Sequence, residues 1–133
     1  MPQFEEIDHT ADWAFRAFGN DIKELFANAA YALFALEGAL DAHSTLTREI
    51  HVAGIDREAL LVNWLSELLF LQETKRETYQ KFEITKLSDT ELTATVHGAH
   101  TQPITKFIKA VTYHDLRIQQ TEKGWEATVV VDV

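Results

Sequence analysis

Cysteine is absent from this 133-residue chain, and proline and glycine are scarce, with two and five residues. Without a thiol, the chain forms no disulfide, holds no thiolate-bound metal and uses no cysteine nucleophile. The prolines and glycines are scattered, so no linker or internal repeat divides the sequence. No apolar run approaches the roughly 20 residues that a membrane-spanning helix needs. We therefore expect a single domain over residues 1–133.

Basic residues are also few, and this limits the partners that the chain would bind. The chain has 12 lysines and arginines and 21 acidic residues, which gives a formal net charge of −9. Such a chain repels a phosphate backbone on average, and no cluster of Lys or Arg offsets the repulsion. We expect no tight direct binding of nucleic acid and no membrane association. The segment Met1–Glu6 lacks the basic and apolar regions of a signal peptide, which is compatible with the cytoplasmic location that we expect.

Two segments have the apolar spacing of amphipathic helices. The first is predicted over about 21–37, where Asp21 is a suitable N-cap and Glu24, three residues later, completes a capping box. Gly38 is predicted to end this helix. The second helix is predicted over about 57–73, capped by Asp56 and carrying a broad apolar face.

Alternating apolar and polar residues predict strands over most of the remainder. The predicted strands cover 13–18, 46–53, a segment around 82–87, a segment from 92 that ends at Gly98, about 107–119, and 125–133 after a hairpin turn at 122–124. Two helices among about six strands predict an α+β fold: a two-layer domain whose helices pack on a mixed or antiparallel sheet.

Two acidic positions stand out as candidate metal ligands. Asp12 lies in a polar cluster, Asp8–Asp12, and Asp132 interrupts the apolar run Val129–Val133 at the end of the sequence. The plain interpretation is that Asp12 is a turn residue and Asp132 a solvated strand position. The alternative is that both carboxylates and an oxygen of Val133 bind a hard cation. Calcium and magnesium are such cations, and they prefer oxygen ligands of this kind.

Three further candidate residues have ordinary structural interpretations. His9 would ligate a metal or transfer protons, or it would form an ordinary hydrogen bond to nearby backbone. Glu24 is accounted for by the capping box, and Lys109 would be an ordinary surface lysine. No phosphate-binding glycine loop, Gly-x-Ser-x-Gly or His-Glu-x-x-His motif is present.

Five segments, taken in order, resemble the archease family over nearly the whole chain. They are Asp8–Asp12, Gly19–Phe26, Leu60–Leu69, Lys109–His114 and Val131–Val133. The resemblance implies a protein cofactor that activates an RtcB-type RNA ligase in tRNA splicing and RNA repair, by promoting guanylylation and multiple turnover of the ligase. It does not imply a catalyst in its own right.

The resemblance also implies roles for particular residues. Asp12, Asp132 and Val133 match the positions that bind a divalent cation, usually calcium, in the family. Lys109 and Glu24 match positions used in activation, to which we add His9. Residues 98–106 depart from the family pattern, so nothing is transferred to them.

Two alternative functions belong to other classes. One is a metal-dependent hydrolase using Asp12 and Asp132, which would show turnover by the purified protein. The other is a general chaperone or interaction module, which would suppress aggregation of unrelated proteins.

Overall fold

A computed structural model describes residues 3–7, 13–38, 44–100 and 108–133. Within these ranges, two helices and seven strands follow one another along the chain. They are β1 (Phe4–Ile7), β2 (Trp13–Gly19), α1 (Ile22–Leu36), β3 (Leu46–Ala53), α2 (Arg57–Lys75), β4 (Glu77–Leu87), β5 (Glu91–His100), β6 (Ala110–Thr121) and β7 (Gly124–Asp132). No helix in the described part of the chain is long and apolar enough to cross a membrane.

Both helices begin and end at residues that satisfy exposed backbone groups. The Asp21 carboxylate accepts a hydrogen bond from the Glu24 N–H at 2.8 Å, and Asp56 accepts from the Ala59 N–H at the same distance. These contacts confirm both predicted N-caps, because each aspartate occupies one of the N–H donors that a first helical turn leaves unpaired. Gly38, with a φ of 70°, follows the end of α1 as predicted.

The strands form two antiparallel sheets, in the orders β1-β2-β7-β6 and β3-β5-β4. The α+β class is thus confirmed, with seven strands in two sheets in place of about six in one. The additional strand is β1, a four-residue segment whose pattern is too short to show an alternation. Strand β5 also continues past Gly98 to His100, so the predicted end at Gly98 was wrong.

The hydrophobic core joins both sheets through the helices. Helix α1 contacts β2 of the four-stranded sheet and β4 of the other, while α2 contacts β6 and β3. One cluster of buried side chains therefore includes Phe15 and Val129 from the first sheet, Leu92 from the second, and Leu33 and Trp64 from the helices. Burial of a large apolar side chain stabilises a fold by about 1.5–3 kcal/mol, so this shared cluster fixes the two sheets against the helices.

Candidate functional site

Asp132 and Lys109 meet at one end of the four-stranded sheet. Asp132 is the last residue of β7, a central strand between β2 and β6. Its backbone carbonyl accepts a hydrogen bond from the Lys109 N–H at 2.8 Å, and its Cα partner on β6 is Ala110. Both residues are exposed, so an acidic and a basic side chain stand at adjacent backbone positions facing solvent.

The other neighbour of β7 brings a third candidate segment to the same end. Trp13, the first residue of β2, is the Cα partner of Val131. In the sequence Asp12 immediately precedes Trp13, and Asp132 immediately follows Val131. Asp12 and His9 themselves lie outside the described residues, so the predicted convergence of Asp12 with Asp132 stays a prediction. Within the described residues, no group of three or more potential metal ligands gathers.

Val133, the third predicted ligand, follows Asp132 and is 50% exposed. It directly follows the last residue of β7. Carboxylate and carbonyl oxygens are the ligand types that calcium prefers, so the chemistry of Asp132 and Val133 fits a hard cation.

Glu24 lies at the opposite end of the sheet. Gly19, just before α1, is the Cα partner of Trp125, seven residues before Asp132 along β7. At about 3.3 Å per residue, that separation is roughly 23 Å. The Glu24 carboxylate accepts from the Asn20 N–H at 3.0 Å, which is the reciprocal contact of a capping box, displaced by one residue. The structure therefore brings Lys109 and Asp132 together but does not bring Glu24 to them.

A buried carboxylate that the sequence pattern did not single out lies behind Lys109. Glu37, at the C-terminus of α1, is 6% exposed. Its two oxygens accept from the Gln72 side-chain amide at 2.8 Å and from the Ile108 N–H at 2.7 Å. Burial raises the pKa of the Glu37 carboxyl, and the two hydrogen bonds offset part of that rise. In the sequence, the only signal was an acid directly after the apolar run that ends α1, residues 32–36.

A second buried acid, Glu77, begins β4 and is fully paired. It forms a two-point ion pair with Arg48 on β3, with N–O distances of 2.9 and 2.7 Å, and accepts the Tyr79 hydroxyl. The hydrogen bond from Arg48 is the main reason that the pKa of the Glu77 carboxyl is lowered. Burial and the adjacent Glu77 carboxylate raise the pKa of Tyr79, so that its hydroxyl stays protonated and donates.

Because their pKa values move in opposite directions, Glu37 and Glu77 should affect the pH dependence of stability oppositely. Glu77 stabilises the fold above its unfolded-state pKa, and this contribution is lost as the pH falls through its lower folded value. The Glu37 contribution is greatest below its unfolded-state pKa and is lost as the pH rises through its higher folded value.

The check is urea denaturation of Glu37→Gln, Glu77→Gln and wild type between pH 7 and about 3.5. On lowering the pH, the free energy of unfolding of wild type should fall relative to that of Glu77→Gln and rise relative to that of Glu37→Gln. If the free energy of unfolding changes with pH in parallel for the three proteins, the opposite pKa directions of Glu37 and Glu77 are contradicted.

Comparisons with known proteins cover the whole chain. Residues 4–133 match the family described as "Archease protein family (MTH1598/TM1083)". A protein archease from Methanosarcina acetivorans is 38% identical, covering 98% of this chain and 96% of its own. A protein archease from Pyrococcus abyssi is 34% identical over the full length of both chains.

Solved structures agree with the sequence comparisons. The solution structure of Methanobacterium thermoautotrophicum protein 1598 is 33% identical, covers 100% of both chains and superposes with a TM-score of 0.74. The crystal structure of a Thermotoga maritima archease, described as a possible chaperone, is 28% identical, covers 97% of this chain and 96% of its own, and has a TM-score of 0.69. The two helices, the two antiparallel sheets and the full-length matches define one protein class: the chain belongs to the archease family.

Proposed function

We propose that this protein activates an RtcB-type RNA ligase by promoting its guanylylation, and so supports repeated turnover in tRNA splicing and RNA repair. The observation that carries the proposal is the hydrogen bond between the Lys109 N–H and the Asp132 carbonyl, 2.8 Å long. It unites two of the segments on which the family resemblance rests, although they lie on different strands. The two exposed charges would act on a partner.

The charge of the chain supports a protein partner over a direct RNA contact. The net charge of −9 repels a phosphate backbone, whereas the metal ions of a ligase site attract acidic groups. Asp132 would face the metal-binding part of that site, and Lys109 would contact a ligase carboxylate or a phosphate of the nucleotide. Glu24, in the first turn of α1 near the other end of the sheet, would touch the ligase only through a second contact area. His9 would contribute if it lies beside Asp12.

The test follows the covalent guanylate on the cognate ligase, with GTP and RNA ends, in the presence and absence of this protein. We expect stimulation at substoichiometric amounts, because an activator is released and acts again. Equal guanylylation without the protein, through several ligase turnovers, would reject the proposal.

We also propose that Asp12, Asp132 and Val133 bind one divalent cation, with calcium the best candidate. The support is the strand register, since each aspartate is one residue from the paired positions Trp13 and Val131. A cation would offset the repulsion of two carboxylates, which is about 4 kcal/mol at 4 Å and an effective dielectric of 20. It would also fix the end of β7 to the segment before β2.

Calorimetry with Ca²⁺, Mg²⁺ and Mn²⁺ tests this metal site. Asp12→Asn and Asp132→Asn should each weaken calcium binding by about tenfold or more, since each removes a charged ligand. Glu49→Gln, which neutralises an exposed acid on β3 in the other sheet, is the matched control. Equal affinity in wild type and in both aspartate variants would contradict the site.

A general chaperone function is the second candidate, because the Thermotoga relative is described as a possible chaperone. The described residues include four large exposed apolar side chains: Ile55 before α2, Phe70 on α2, Tyr113 on β6 and Val133 after β7. A chaperone would suppress aggregation of unrelated proteins without any RNA ligase present. Lys109→Ala would leave that suppression unchanged, whereas it should impair ligase activation.

A further inference from the structure

Glu37 connects three elements that are far apart in the sequence. It ends α1, its Oε1 accepts from Gln72 on α2, and its Oε2 accepts from the Ile108 N–H, 71 residues further along the chain. Ile108 is 2% exposed, so its N–H has no access to bulk water. The carboxylate therefore satisfies a buried backbone donor immediately before Lys109.

This position is unfavourable for a carboxylate. Its two hydrogen-bond partners are neutral amides, and burial disfavours its charged form. It also stands at the C-terminus of α1, the end that repels negative charge. The acceptor oxygens at this position nevertheless satisfy two donors, the Gln72 side-chain amide and the buried Ile108 N–H.

The backbone donors of two consecutive residues, Ile108 and Lys109, are both held by hydrogen bonds. The Ile108 N–H is held at 2.7 Å by Glu37, and the Lys109 N–H is held at 2.8 Å by the Asp132 carbonyl. The Ile108 N–H is thus anchored through Glu37 to the two helices, and the Lys109 N–H is anchored to β7. Together they set the direction in which the exposed Lys109 side chain leaves the sheet.

We propose that Glu37 is a positioning residue for Lys109, holding its backbone against β7 so that the ammonium group and Asp132 are presented together. The contribution of Lys109 to ligase activation rests on the function proposed above, whereas the anchoring of residues 108 and 109 does not. An activating group is effective only when its backbone and rotamer are fixed, so loosening this segment should weaken activation without altering either charge.

The experiment compares Glu37→Leu, which fills a similar volume without an acceptor, with Glu37→Gln, which keeps one. In Glu37→Gln, the new amide oxygen would accept from the Ile108 N–H while the new NH₂ group donates to a rotated Gln72 side chain. Amide hydrogen exchange at Ile108 and Lys109 should be faster by about tenfold in Glu37→Leu and remain within about twofold of wild type in Glu37→Gln. Stimulation of ligase guanylylation should follow the same order.

A double-mutant cycle separates positioning from general destabilisation. Glu37→Leu should have little further effect, about twofold at most, once Lys109→Ala is present, because it acts through Lys109. Leu92→Ala, a core change on β5, should lower stability without accelerating exchange selectively at Ile108. Should Glu37→Leu not fold, Glu37→Asp, whose shorter side chain cannot reach both donors, should give an intermediate acceleration.

Unchanged exchange at Ile108 and Lys109 in Glu37→Leu would overturn the inference. An equal loss of stimulation in wild-type and Lys109→Ala backgrounds would also overturn it, because Glu37 would then act independently of Lys109. If wild type does not stimulate the ligase at all but exchange at Ile108 accelerates in Glu37→Leu, the proposed function fails while the anchoring of Lys109 stands.

Discussion

Alanine at Lys109 or at Asp132 should each reduce the stimulation of ligase guanylylation by about tenfold or more, with the fold intact. Loss of one partner from a charged contact that becomes buried in a complex costs about 2–5 kcal/mol, enough for such a reduction. Both side chains are exposed in the free protein, so their removal leaves the core untouched. Asp132→Ala should also abolish calcium binding, whereas Lys109→Ala should retain it.

Two matched variants control for charge and for surface position. Lys123→Ala removes an exposed lysine from the β6–β7 turn, at the far end of the same sheet, and Glu49→Ala removes an exposed acid from β3. Both should stimulate the ligase as wild type does. If Lys109→Ala is as active as Lys123→Ala, then Lys109 is an ordinary surface lysine and only the acidic part of the site survives.

Alanine at Gly98 should lower the free energy of unfolding by about 3 kcal/mol or more, since overpacking in a buried site forces the backbone to move. A Cβ atom at Gly98 would lie 1.8 Å from the Thr78 carbonyl oxygen and 2.8 Å from the Tyr79 Cα. Both are backbone positions of β4, so no side-chain rotation relieves the clash. The β4–β5 ladder would have to separate where Glu77 and Arg48 also pair.

Gly38→Ala is the matched control for this prediction. Gly38 has a φ of 70° but no atom within 4 Å of an added Cβ, so only the backbone conformation is penalised. It should lose about 1 kcal/mol, the usual cost of a left-handed conformation for an L-residue. Chemical denaturation of the two variants gives both values. A Gly98→Ala protein that is as stable as Gly38→Ala would show that β4 and β5 are not closely packed at this point.

The helices and most strands could be predicted from the sequence because their signals are local. The capping aspartates Asp21 and Asp56 precede apolar residues at helical spacing, and each bonds to an N–H three residues away. Strand β3 has the predicted bounds, Leu46–Ala53, since its alternation is regular. The candidate residues Lys109, Asp132 and Val133 were chosen from the sequence on the order of its motifs, and their roles stay predictions.

Other features depend on partners that are distant in the sequence. Gly98 looked like the end of a strand, because a glycine is equally suited to stopping β5 and to allowing β4 to approach closely. Strand β6 contains Asp115 with a φ of 53°, and its pairing with β7 shifts between Thr112 and Arg117. A pattern of single residues does not reveal such a bulge, because the register is set by the neighbouring strand.

The sequence alone determined the α+β class, both helix caps and the set of charged residues that match the archease pattern, because each is encoded within a few consecutive positions. Only the tertiary structure decided which of those residues lie next to one another. It placed Lys109 beside Asp132 and Glu24 at the opposite end of the sheet, and it joined Glu37 to Ile108 across 71 residues. Strand register and buried hydrogen bonds fix these neighbours, and they form only when the two sheets close on the helices.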